Sequence, residues 1–186
     1  MAEQKIKGSI LKSRLEFVHK EFGEEGLSKV IGSLPEADQK ILGRLVAVAW
    51  VDFEVGRRLD DAIVKVLGGG STRFFERLGE ASAEVNLGTL HSAFLTPGNP
   101  QAFLAKAPQI YRLYYDVGRR EYQPTGEREG VLITHGAETF SKTDCLTVIG
   151  WYRKALEVCG AKNVRILEEE CRAAGGGVCR YRVSWQ

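Results

Sequence analysis

Val164-Arg165-Ile166-Leu167-Glu168-Glu169-Glu170-Cys171, followed after Arg172-Ala173-Ala174 by Gly175-Gly176-Gly177-Val178-Cys179-Arg180-Tyr181-Arg182-Val183-Ser184-Trp185, reads as two strands around a glycine turn. Successive side chains of a strand point to opposite faces, so Val164, Ile166 and Glu168 share one face of the first arm. Cys179, Tyr181, Val183 and Trp185 share one face of the second, with Arg180, Arg182 and Ser184 opposite. Glu168 is the anomaly. A carboxylate on an apolar strand face carries a desolvation cost of several kcal/mol unless it is paired or bound to a metal.

Upstream, Ser141-Lys142-Thr143-Asp144 has the form of a helix-capping box, and Cys145, Val148, Tyr152, Leu156 and Cys159 give the helix behind it an inner stripe that ends at Gly160. Before that, Arg119 to Gln123 and Glu129 to His135 read as a hairpin joined by Pro124-Thr125-Gly126. The rest of the chain reads as helices. Leu11, Leu15, Val18 and Phe22 form one amphipathic face ending at Gly23, and a short helix spans Glu25 to Gly32 before the break at Ser33-Leu34-Pro35. A longer helix is expected to carry Val48, Val51, Val55, Leu59, Ile63 and Val66, with Asp52, Arg57, Asp60, Asp61 and Lys65 on its polar side. Gly68-Gly69-Gly70 stops it, and Ser71 caps a helix whose core face is Phe74, Leu78, Ala81 and Val85. Two more helices are expected near Leu87 to Leu95 and Pro100 to Tyr115.

These elements predict an α+β fold: an N-terminal helical bundle packed on a small antiparallel sheet, with a C-terminal helix and β-hairpin. With neither an internal repeat nor a linker, residues 1–186 are expected to be one domain, with 1–118 its mainly helical layer and 119–186 its strands and last helix. The length suffices to bury a core without disulfides. Charge is nearly balanced, 26 basic against 24 acidic residues, which supplies no general field for nucleic acid or anionic lipid. The longest apolar run, Leu45 to Val51, is far too short to span a bilayer, and Met1 to Lys7 lacks the pattern of a secretory signal. A cytoplasmic protein is expected, in which thiols stay reduced.

All four cysteines lie in the last quarter of the chain, at positions 145, 159, 171 and 179. Cys145, Glu168, Cys171 and Cys179 stand as C-x22-E-x2-C-x7-C. Cys145 falls in the first turns of a helix, where the dipole favours a thiolate, and the last hairpin brings Cys171 towards Cys179. Three thiolates and a carboxylate suit tetrahedral Zn²⁺, and a site filled by four protein ligands is structural rather than catalytic. Glu169 and Glu170 are rival carboxylates, and Arg165, Arg172 and Arg180 are candidate donors around the charge. Cys159 fits no ligand position and reads as core.

The stretch from Cys145 through Gly150-Trp151 to Leu167-Glu168-Glu169-Glu170-Cys171 and Gly177-Val178-Cys179-Arg180 resembles the C-terminal part of vinyl-reductase-like (4-vinyl reductase) domains. Its spacing is similar to the zinc site of the sensor domain of that type in bacterial phenol-responsive activators. The resemblance implies Cys145, Glu168, Cys171 and Cys179 as zinc ligands. It also implies a superfamily shared with haem nitric-oxide-binding sensors and TRAPP tethering subunits, a ligand pocket between helices and sheet, and frequent homodimers. Phe103, Tyr111, His135, Phe140, Trp151 and Tyr152 are the expected lining of that seam.

No G-x-S-x-G, H-E-x-x-H, G-x-x-x-x-G-K-[ST] or G-x-G-x-x-G motif occurs, and the three histidines are too scattered to argue a nucleophile and base. The expectation is a non-enzymatic module that senses a small apolar or aromatic molecule and acts through a protein partner, without touching nucleic acid or spanning a membrane. Two alternatives stand beside it. One is a TRAPP-like interaction scaffold with no physiological ligand. The other is a haem gas sensor using His91, since Tyr115-Asp116-Val117-Gly118-Arg119 partly resembles the Tyr-x-Ser-x-Arg motif of the haem sensors, with Val117 in place of serine. The pairs Arg57-Arg58 and Arg119-Arg120 read as solvated faces.

Overall fold

A computed structural model describes residues 4–89, 91–137 and 141–186. The fold is α+β. Its elements run β1 (Lys5–Lys7), α1 (Gly8–Gly32), α2 (Glu36–Gly43), β2 (Trp50–Asp52), α3 (Phe53–Val66), α4 (Phe74–Gly88), α5 (Pro100–Leu104), α6 (Ala107–Tyr114), β3 (Arg119–Gly126), β4 (Glu129–His135), α7 (Lys142–Val158), β5 (Arg165–Glu170) and β6 (Cys179–Ser184). Single 3-10 turns lie at Ser92–Phe94 and Arg172–Ala174.

β3, β4, β6 and β5 form, in that order, a fully antiparallel sheet, in which Thr134 pairs with Cys179 and Glu168 with Tyr181. The alternation expected of β6 is observed: Cys179, Tyr181 and Val183 are buried, and Arg182 is exposed. α7 starts where its cap predicts, with Ser141 Oγ accepting from the Asp144 backbone N–H at 3.1 Å. Its stripe, Cys145, Val148, Tyr152 and Leu156, followed by Cys159, is buried. α7 packs most extensively on α4, and α6 lies against β3. The two long helices approach closely because Gly79 of α4 and Gly150 of α7 face each other's backbone; a Cβ at these positions would stand 2.1 Å from Thr147 O and 1.8 Å from Glu76 O.

Five expectations are corrected. Val48 and Val51 are not helical: α3 begins only at Phe53, with Asp52 Oδ1 accepting from Glu54 N, because residues 50–52 pair as a strand with Lys5–Lys7. Residues 87–95 are not one helix, since α4 ends at Gly88, and residues 100–114 divide into α5 and α6. Ser71 is not the cap of α4, which starts after Arg73. The hairpin turns at Glu127-Arg128 rather than at Pro124-Thr125-Gly126, where β3 continues through an irregularity on the sheet's edge, the place a strand tolerates proline. At Gly23 the expected break is a kink: φ is +68°, a conformation glycine adopts without steric cost, and α1 resumes beyond it.

Candidate metal centre and adjoining cavity

Cys145 enters the site from the first turn of α7, Cys171 from the end of β5 and Cys179 from the start of β6. Register and capping thus converge on one point. All three are buried, and their sulfurs lie within 4.8 Å of one another, with Cys145 Sγ 3.6 Å from Cys171 Sγ and 3.8 Å from Cys179 Sγ. The Arg172 backbone N–H points at Cys179 Sγ from 3.5 Å. Cys145 holds its proton in the hydrogen bond to Cys179, which raises its own pKa and pulls that of Cys179 down. Burial pushes the Cys171 thiol up, and the neighbouring Glu168 carboxylate adds to the rise.

The Glu168 side chain is 12% exposed and lies between Lys142 and the Cys171 thiol. Its Oε2 accepts from Lys142 Nζ at 2.9 Å, whereas Oε1 is buried without a well-formed hydrogen bond. The rival carboxylates are engaged elsewhere. Glu169 pairs with Arg182 at 2.6 Å, and Glu170 Oε1 accepts from the Gly177 and Val178 backbone N–H groups at 2.7 and 3.2 Å. The three clustered thiols could hold a metal ion, and Glu168 stands next to Cys171 without being one of the cluster. Cys159 lies apart, fully buried at the end of α7.

Beside the thiols lies a cavity of about 50 Å³. Trp151, Tyr152 and Tyr111, three of the residues expected at the seam, are in its walls. Phe103 is not a wall residue; it is fully buried, stacked on Trp151 at a 6.2 Å ring separation. His135 stands on the sheet with Nε2 3.0 Å from Glu121 Oε2 and is also outside the cavity. Phe140 lies outside the described residues. A void of about 10 Å³ shares Tyr111, Tyr115, Arg120 and Asp144 with the cavity and is walled as well by Cys145 and Cys179.

The polar groups of this region escape sequence reading. Arg120, taken from the sequence as solvated, is 7% exposed because strand alternation turns it inward, where Nε donates to Thr134 Oγ1 at 3.0 Å. Asp60, placed by periodicity on the polar side of its helix, is 2% exposed. It receives Arg14 Nε at 2.5 Å, Arg14 Nη2 at 3.1 Å and Thr143 Oγ1 at 2.9 Å. Asp144 takes Arg14 Nη2 at 3.4 Å and Tyr115 Oη at 2.9 Å to both oxygens. Burial works against the Arg14 charge, and the Asp60 and Asp144 carboxylates more than restore it. Burial also pushes the Asp144 carboxyl up, partly offset by Arg14 and Tyr115.

A model of the family described as "Protein of unknown function (DUF2378)" matches residues 62–186, more than half of the chain. The chain belongs to the DUF2378 family. The matched region contains all three clustered cysteines, Glu168 and the sheet. No curated protein matches this DUF2378 chain. Among solved structures it is similar to an Fe(II) unliganded H-NOX protein from K. algicida, with a TM-score of 0.75 and 16% identity over 97% of this chain and 96% of that one. It is also similar to an H-NOX protein from S. oneidensis in the Fe(II)NO ligation state, with a TM-score of 0.68 and 13% identity over 97% and 99% of the two chains. An oxygen-binding H-NOX domain related to soluble guanylate cyclases gives a TM-score of 0.70 at 12% identity, over 97% and 95%. At such identities the likeness is one of fold, the fold the family resemblance implied.

The H-NOX structures named for Fe(II) raise the question of whether this chain's residues fit a haem. They do not. His91 is 9% exposed and packed edge-on against Phe94 and Tyr114, with ring separations of 5.9 and 5.3 Å, and it is not in the cavity wall. A cavity of about 50 Å³ falls far below the roughly 300 Å³ at which pockets for larger ligands begin. Tyr115 Oη is committed to Asp144, and Arg119 is exposed. Haemin added to the full chain is therefore expected to give no saturable Soret band; one that disappears in His91→Ala would contradict this.

Proposed function

We propose that this DUF2378 chain is a non-enzymatic sensory or regulatory module of the vinyl-reductase-like type, built around a structural zinc ion and a small-molecule cavity in the helix–sheet seam. The observation that carries the reading is the meeting of Cys145, Cys171 and Cys179, with Glu168 next to Cys171. Zinc bound there would take the three thiolates and this carboxylate, would supply no open coordination position, and would tie α7 to the β5–β6 hairpin. The Lys142 ammonium and the Arg172 backbone N–H would offset the negative charge of such a centre. A cytoplasmic setting suits thiols that must stay reduced. Occupancy of the seam would be read out by a protein partner or a second copy of the chain. The H-NOX proteins of like fold are named for binding oxygen or nitric oxide, which supports ligand sensing in the same architecture.

Cys179→Ser tests the reading against Cys159→Ser. The first variant is expected to lose most of the bound zinc and to melt at a clearly lower temperature, whereas the second should keep full zinc content, although both replace buried thiols. Equal zinc in the two variants would remove the ligand assignment. In any case, no helix among the described residues is long and apolar enough to cross a membrane.

A further inference from the structure

Arg120 is buried, and no carboxylate among the described residues lies within ion-pair distance of it. Its guanidinium instead rests over the rings of Tyr111 and Tyr152, at 5.0 and 5.4 Å from their centroids. Cation–π contacts hold the faces of a guanidinium but leave its in-plane N–H donors to be satisfied. Buried charges are otherwise found paired. Two hydroxyls in the same walls, Tyr114 Oη and Tyr152 Oη, are buried without a well-formed hydrogen bond, Tyr114 facing Asn86 and Tyr152 facing Arg120. Asp144 lines the cavity as well, but Tyr115 Oη and Arg14 already occupy its oxygens. Arg14 in turn is committed to Asp60 and Asp144. The cavity therefore presents a buried cation and tyrosine hydroxyls, while its one carboxylate, Asp144, is engaged by Tyr115 and Arg14.

The remaining walls limit what can bind there. Ile10, Ile110, Val148 and Trp151 are apolar, and beside them stand only the hydroxyls of Ser82 and Thr147, the latter donating to Thr143 O, so an ion hydrated all round would lose most of its water there without replacement. A volume of about 50 Å³ admits about three to five water-sized positions at roughly 10–15 Å³ each. A planar two-oxygen edge matches the fork of an arginine, and a short aliphatic tail matches the apolar side. We propose that the cavity binds a short-chain carboxylate of the size of acetate to butyrate, with its oxygens on Arg120 and Tyr152 and its tail against Ile110 and Trp151. This names the ligand class of the seam cavity and so rests on the cavity being a binding site.

The test is calorimetric titration of the as-purified full chain with propionate, with neutral propionamide and with nitrate, at one ionic strength. Propionate is expected to bind saturably, and at least tenfold more tightly than propionamide or nitrate. In Tyr152→Phe the affinity for propionate should fall about tenfold, because the hydroxyl beside Arg120 is lost while the ring that carries the cation–π contact is kept. Arg120→Met should abolish propionate binding; should it fail to fold, the Tyr152→Phe result carries the test alone. Propionamide binding as tightly as propionate would overturn the anionic class and leave the cavity a ligand site. Nitrate binding as tightly would overturn the role given to the tail. No binding by any of the three would overturn this proposal, while the zinc content of the same sample and binding of an uncharged aromatic probe such as phenol judge the proposed function separately.

Discussion

Arg14→Met is expected to destabilise the fold by about 3–5 kcal/mol, the range for removing one partner of a buried ion pair. Arg14 belongs to α1, Asp60 to α3 and Asp144 to α7, so one guanidinium joins three helices across the core. The side chains of Arg14 and Asp60 are 2% and 3% exposed, which leaves water little opportunity to screen the loss. Without the cation, two carboxylates would remain buried near each other, Asp60 with Thr143 and Asp144 with Tyr115 as their remaining side-chain donors. Urea denaturation of the variant should show a lower midpoint at an unchanged slope. Combining Arg14→Met with Asp60→Leu should recover part of the loss, since replacing both members of a buried pair by apolar groups is far less costly than removing one. A loss below about 1 kcal/mol for Arg14→Met, the range of an exposed pair, would mean the network is open to solvent.

Gly150→Ala is expected to have an effect of similar size, about 3 kcal/mol, the upper end of the overpacking range. A methyl group there would stand 1.8 Å from Glu76 O, and backbone on both sides leaves no side chain to move aside. α4 and α7 would have to separate along their contact. Gly79→Ala meets Thr147 O at 2.1 Å and should behave alike. Helix propensity argues the other way, favouring alanine over glycine by about 1 kcal/mol. Gly32→Ala isolates that contribution: it lies at the end of α1 with nothing within 4 Å of its added Cβ, so it should be neutral or slightly stabilising. If thermal melts of Gly150→Ala and Gly32→Ala moved in the same direction, the close crossing of α4 and α7 would be wrong.

The parts of this fold legible in the sequence are those whose cause is local. The Ser141 cap, the stripe of α7 and the alternation of β6 each depend on a few neighbouring residues, and each stands as expected. The meeting of Cys145, Cys171 and Cys179 was legible for the same reason: one cysteine follows a cap and the other two flank a glycine turn. β2 was not, because it exists only by pairing with Lys5–Lys7 some forty-five positions earlier, while Val48 and Val51 also satisfy a helical period. Arg120 and Asp60 were misplaced because a charge is read outward by default. What turns them inward is a distant partner, Arg14 for Asp60, and for Arg120 the rings of Tyr111 and Tyr152. Strand alternation was the available signal for Arg120, since Arg120 pairs with Thr134 on the face that also carries Leu132.

Metal content per chain, measured by elemental mass spectrometry on untagged protein together with its absorption spectrum, decides whether Cys145, Cys171 and Cys179 hold an ion. The thiol cluster is expected to hold about one zinc per chain, with no Soret band. Protein that is folded by its melting curve yet carries no zinc, and takes up none when zinc is supplied under reducing conditions, would contradict this.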